Sequence, residues 1–117
     1  MWIWALQQKA TFFRNEVVKN VGTTPVKVIE TNGATRATVI GLSFTNLTDK
    51  FVYVNVELQS QDSARGFYLK DSILPSGTSL RAVSTGEKLI LATSNAMYVS
   101  STLDDSVDVI ISYVEIT

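Results

Sequence analysis

Three carboxylates fall within five residues, at Asp104, Asp105 and Asp108, and make the chain's one acidic cluster. Oxygen ligands at close spacing are what a hard cation such as Ca²⁺ requires. An EF-hand loop also needs a longer run of ligands, a central Gly and a closing Glu, and none is present. The cluster therefore reads as a tight turn in which Asp has its usual turn role. Glu30 and Glu57 lie on candidate strands and could pair as acid and base, as glycosidase carboxylates do. With 11 acidic residues in 117, such pairs arise by chance, and strand Glu residues are mostly solvated. There is no His and no Cys, which removes the commonest general base, the thiolate nucleophile and the usual transition-metal ligands. No nucleophile elbow, P-loop or dinucleotide fingerprint occurs. The expectation is a non-enzymatic protein with no cofactor and no metal.

Binding chemistry is weighed in the same way. Tyr53, Tyr68 and Tyr98 could stack on sugars, although packing is the commoner use of aromatic rings. Arg14, Arg36, Arg65 and Arg81 are dispersed, and the net charge is −1. That combination gives no electrostatic basis for nucleic-acid binding. The longest apolar run is a few residues, too short for a transmembrane helix, so no membrane partner is expected. The start, MWIWALQQKATFF, has no basic residue ahead of its apolar stretch and fits a secretory signal poorly.

These residues have to be positioned by strands. Two runs rich in Val, Ile, Phe, Tyr and Thr span Thr35 to Gln61 about a short polar turn and predict one long hairpin. Ile40, Leu42 and Phe44 should share a face of the first run, and Val52, Val54, Val56 and Leu58 a face of the second, because strand side chains alternate. Arg14–Val21 predicts a strand with Val17 and Val21 on one side. Val26–Glu30 predicts another, followed by Asn32-Gly33, a strong hairpin signal. Further strands are expected over Gly66–Asp71, with Phe67 and Leu69 on one side, and over Ser79–Ser84, Lys88–Thr93, Ala96–Leu103 and Val107–Ile116. Gly41 lies mid-strand and predicts a bulge or a close backbone approach. Nine or so strands, with turn signals between nearly all of them and no helical period, predict an all-β, antiparallel sandwich of jelly-roll type over residues 14–117. Residues 1–13 carry Trp2, Trp4, Phe12 and Phe13 without clean alternation and are expected to form an irregular N-terminal arm. Neither a linker nor a low-complexity tract appears.

A two-layer sandwich needs one apolar face per strand, and some strands here have two. The last strand places Ile110, Val114 and Ile116 opposite its core face, and the run from Phe51 places Phe51 and Tyr53 opposite its valines. A contiguous apolar patch marks an interaction surface. The candidate interface residues are therefore Trp2, Trp4, Phe12, Phe13, Phe51, Tyr53, Ile110, Val114 and Ile116.

The segments NEVVKNVGTTPVKVIETNGATRATVIGLSFTNLT, LPSGTSLRAVSTGEKLILATSNAMYVSS and DDSVDVIISYVEI together resemble small β-sandwich virion proteins of tailed bacteriophages, including those of cyanobacteria. The likeness is one of pattern: turn-Gly-strand units, Thr- and Val-rich alternation, a Pro-Ser-Gly loop and an apolar closing strand. It covers nearly the whole span from Asn15 to Thr117. It implies a structural role in the virion, foremost as a capsid decoration or cement protein, with synthesis in the host cytoplasm. Copies of itself and other virion proteins such as the major capsid protein are the implied partners. A tail, baseplate or neck part is the alternative, followed by a module that binds a glycan or host receptor.

Overall fold

A computed structural model describes residues 10–83 and 86–117. Among them are nine strands and no helix: β1 (Thr11–Val21), β2 (Val26–Glu30), β3 (Arg36–Asn46), β4 (Val52–Gln59), β5 (Arg65–Leu74), β6 (Ser79–Val83), β7 (Leu89–Leu91), β8 (Ala96–Ser101) and β9 (Val107–Ile116). All pairings are antiparallel. One sheet runs β1-β9-β3-β6, with β7 also paired to β3, and the other runs β2-β8-β4-β5. Strands therefore alternate between layers along much of the chain, which is the jelly-roll arrangement.

The core lies between the layers. Val39, Leu42, Phe44, Val107, Val109 and Ile111 from the first sheet meet Val52, Val54, Val56, Met97 and Val99 from the second, and all are essentially inaccessible to water. β4 and β9 keep the alternation expected of them. Removing such side chains from water is the main favourable term in folding.

β3 and β4 do not pair with each other, contrary to the expected hairpin: β3 lies between β9 and β6/β7, and β4 between β8 and β5. The chain crosses from one sheet to the other at buried Asn46. Its Nδ2 donates to the carbonyls of Lys50 (2.7 Å) and Leu74 (3.0 Å). Its Oδ1 accepts from the Thr48 backbone N–H (2.9 Å) and hydroxyl (2.8 Å). One side chain thus satisfies the backbone of a corner that a hairpin ladder would otherwise have satisfied. Asn32-Gly33 likewise makes an inter-sheet corner rather than a hairpin. Asn32 Oδ1 accepts from the Ala34 N–H at 2.8 Å, and Gly33 is not among the residues of positive φ, so the I′ turn does not form.

Three further corrections share one cause, a β-bulge. Between Val18 and Val21 the β1–β9 register slips by one residue, with Asn20 at φ 57°. Val18 and Val21 therefore turn inward and Val17 outward. Between Val39 and Gly41 the register against β9 slips again, so Ile40 leaves the face of Leu42 and Phe44. This is the bulge anticipated at Gly41. A Cβ there would meet only Ser112 Cβ at 3.8 Å, ordinary contact, so the glycine is not there for close backbone approach. In β5, slips beside Val56 separate Phe67, which is exposed, from Leu69, which packs on the core. One inserted residue inverts the facing of every side chain beyond it.

Candidate functional site: two unlike outer faces

The candidate chemical groups are engaged in the architecture. Asp104 Oδ1 accepts from the Thr23 N–H (2.9 Å) and hydroxyl (2.8 Å). These bonds, the backbone one foremost, hold its carboxyl below the usual range. Asp108 Oδ1 accepts from the Asn20 N–H at 3.0 Å, at the bulge. The two carboxylates thus bind separate backbone sites, Asp104 on the β1–β2 connection and Asp108 at the β1 bulge. Glu30 pairs with Lys27 at 3.0 Å and Glu57 with Arg65 at 3.3 Å, so each has a cation beside it. Tyr98 is covered by the Arg65 guanidinium, 4.0 Å from its ring centroid. That face of the ring is already stacked.

What remains is the pair of surfaces turned away from the core. On the first sheet, strand registers place outward side chains in rows. One row runs Phe13, Val114, Thr38, Ile90 across β1, β9, β3 and β7. Another runs Val17, Ile110, Ser43, Arg81 across β1, β9, β3 and β6. Ile40 bulges out between them. Phe13 is 81% exposed, Ile90 65%, Val17 59%, Ile110 46% and Ile40 45%. Val114 and Ile116 are half-buried on the same face. Four of the expected interface residues, Phe13, Ile110, Val114 and Ile116, are therefore brought together. Val17, Ile40 and Ile90 were missed, the first two because bulges turned them out. Ile90 had a signal, since it alternates with inward Leu89 and Leu91.

The second sheet's outer face is built differently. Phe51 and Tyr53 meet edge to face, centroids 5.7 Å apart, and Ile73 lies opposite Tyr53 in the β4–β5 register. Along the same face Lys70 lies over Phe67 at 4.9 Å, and the Glu57–Arg65–Tyr98 stack follows. Long cationic side chains lie over Phe67 and Tyr98 here and carry their charge into water. The expected set is thus split between two faces. Phe12 belongs to neither: it faces the core side, with Arg14 4.8 Å over its ring, on a strand that begins at Thr11. Trp2 and Trp4 lie outside the described residues.

No protein-family model matches the chain, and no curated protein matches it in sequence. Solved structures do match in fold. A chain of the T13 viral particle of infectious bursal disease virus aligns over 92% of this chain and 30% of its own, at TM-score 0.55 and 10% identity. A chain of the Gx strain of that virus aligns over 93% and 33%, at 0.52 and 7%. A chain of the disulfide-linked pili that form Bacillus endospore appendages aligns over 92% and 88%, at 0.55 and 10%. This chain thus spans about a third of the viral chains' length and most of the pilus chain's. At these identities the likeness is one of fold, and it is shared with chains that build a viral particle and a pilus.

Proposed function

We propose that this protein is a structural, non-enzymatic subunit of a virion, assembling with copies of itself and with other particle proteins such as the major capsid protein. The observation that carries the reading is the outer face of the β1-β9-β3 sheet, where Phe13, Val17, Ile40, Ile90 and Ile110 stand 45–81% exposed together. Burying one large apolar side chain is worth about 1.5–3 kcal/mol, so a face of five supports repeated weak contacts in a closed symmetric assembly. Trp2 and Trp4, from the arm expected over residues 1–13, add apolar area to such contacts, Phe12 and Phe13 of that stretch lying on β1. Phe51 and Tyr53 form a smaller contact site on the opposite side.

Decoration or cement of a capsid is the role that best uses a small jelly roll with one greasy flank. Sharing its fold with chains of a viral particle supports this reading. A tail, neck or other fibrous part is the second reading, supported by the match to a pilus chain over 88% of that chain's length. Sedimentation of the purified chain from 1 to about 100 μM is the test, followed by electron microscopy of the assembled fraction. Concentration-dependent oligomers or particles are expected, with closed shells favouring the capsid role and fibres the second. A monomer throughout, binding no apolar dye, overturns both. Co-purification with intact particles at a fixed, high copy number then separates decoration from a minor part.

A further inference from the structure

β1 is an edge strand: among the described residues it pairs only with β9. From Thr11 to Val18 it runs in unbroken register, and no backbone group there bonds outside the β9 ladder among the described residues. A long regular edge is a template for another strand. Its sequence, Phe12-Phe13-Arg14-Asn15-Glu16-Val17-Val18, is complementary to its own reverse. Turned antiparallel about Asn15, Arg14 meets Glu16, Phe13 meets Val17, and Phe12 meets Val18.

We propose that two copies of this chain join edge to edge through β1, on a two-fold axis at Asn15, into one continuous sheet. The inference rests on the reading of the chain as a self-assembling subunit and names its first contact. Charge selects the register. Sliding the partner by two residues either way keeps the faces aligned but sets Arg14 against Arg14 or Glu16 against Glu16. Like charges directly opposite are destabilising, and opposite charges stabilise. Arg14 already receives Glu115 on its Nε at 3.0 Å, which leaves its terminal N–H groups for the partner's Glu16. Glu16 belongs to none of the ion pairs found among the described residues. The bulge after Val18 ends the straight segment and so limits the contact to these residues.

The pairing also joins the two apolar faces. The row Ile90, Thr38, Val114, Phe13 of one copy continues into Val17 and Ile110 of the other. A dimer would therefore present about twice the docking surface of one chain, on a single side.

The chain has no cysteine, so an introduced thiol reports cleanly. Residues opposed across an antiparallel pair have Cα atoms about 4.5–5.5 Å apart, within disulfide range. Asn15→Cys should oxidise to a covalent dimer. Phe13→Cys alone should not, because its copies lie roughly 13 Å apart along the strands. Mixed Phe13→Cys and Val17→Cys chains should cross-link with each other. Adding Glu16→Arg to Asn15→Cys should slow cross-linking at least tenfold. If the chain assembles while Asn15→Cys stays unlinked, or Phe13→Cys alone links as fast, this pairing is wrong and the assembly reading survives. If the chain neither links nor assembles, both fall.

Discussion

The two outer faces of this sandwich carry similar numbers of large apolar residues but differ in kind: aliphatic side chains and Phe13 on one, aromatic rings partly stacked by cations on the other. On the β2-β8-β4-β5 side, two rings have cations over them, Arg65 on Tyr98 and Lys70 on Phe67, with Glu57 and Glu30 beside neighbouring cations, while Phe51 and Ile73 stay 58% and 55% exposed. On the β1-β9-β3 side, Phe13, Val17, Ile40, Ile90 and Ile110 are 45–81% exposed, and among the described residues no cation stacks on Phe13. Exposed apolar area is therefore not by itself the sign of a contact surface, since most proteins have plenty. The more telling sign is apolar area that runs unbroken across neighbouring strands, as Phe13 with Val114 and Val17 with Ile110 do.

The comparison requires the two layers to be held apart correctly, and its largest test is at the corner. Asn46→Ala removes the amide donor of the Leu74 carbonyl and the acceptor of the Thr48 backbone N–H, and each such loss costs about 1–3 kcal/mol. A loss of about 3 kcal/mol is expected in denaturant melts, with both faces affected together. Ile110→Asp breaks one face only. It should weaken self-association about 100-fold by sedimentation while leaving the melt within about 0.5 kcal/mol, because the side chain is already exposed. The counterpart on the aromatic face is Arg65→Ala. It removes a stacked cation and an exposed ion pair, at about 1 kcal/mol in stability, and should leave association unchanged. If Arg65→Ala disrupts assembly as much as Ile110→Asp, the two faces do not differ as described.

The smallest effect is in acid. Asp104 is held below its ordinary value by bonds from Thr23. A carboxyl depressed in the folded state stabilises above its unfolded pKa, ordinarily 3.8, and that contribution is lost as pH falls through the lower, folded value. Thermal melts should thus weaken below about pH 4, and Asp104→Asn should flatten that limb. Association through the uncharged face should stay constant between about pH 5 and 9 over the same series, since carboxylates and Lys keep their charge there.

Alternation was enough to reveal the strands and most of the core. Val52, Val54 and Val56, like Val107, Val109, Ile111 and Tyr113, face inward as their spacing requires. Which strand lies beside which was not readable in that way. Alternation fixes a face, not a neighbour, and the turn after Asn46 is short enough for a hairpin. The amide of Asn46 decides the matter, by bonding carbonyls 4 and 28 residues away. The candidate face was half visible for a related reason. Ile110, Val114 and Phe13 follow from regular phase, whereas Val17 and Ile40 are out because of inserted residues. Only Gly41 hinted at one of those.

The pairing of β1 with β9 has a consequence for how this molecule is born. β9 lies between β1 and β3, so neither can be clad on that flank until residues 107–116 have been synthesised. Pairings over such chain separations close slowly, and unpaired strands are sticky while they wait. The nascent protein would therefore pass through an interval in which its greasiest edges are open to the wrong neighbours. A chain cut short before Val107 should go to inclusion bodies rather than fold in part, and a chaperone that holds the early strands should raise the yield of the whole.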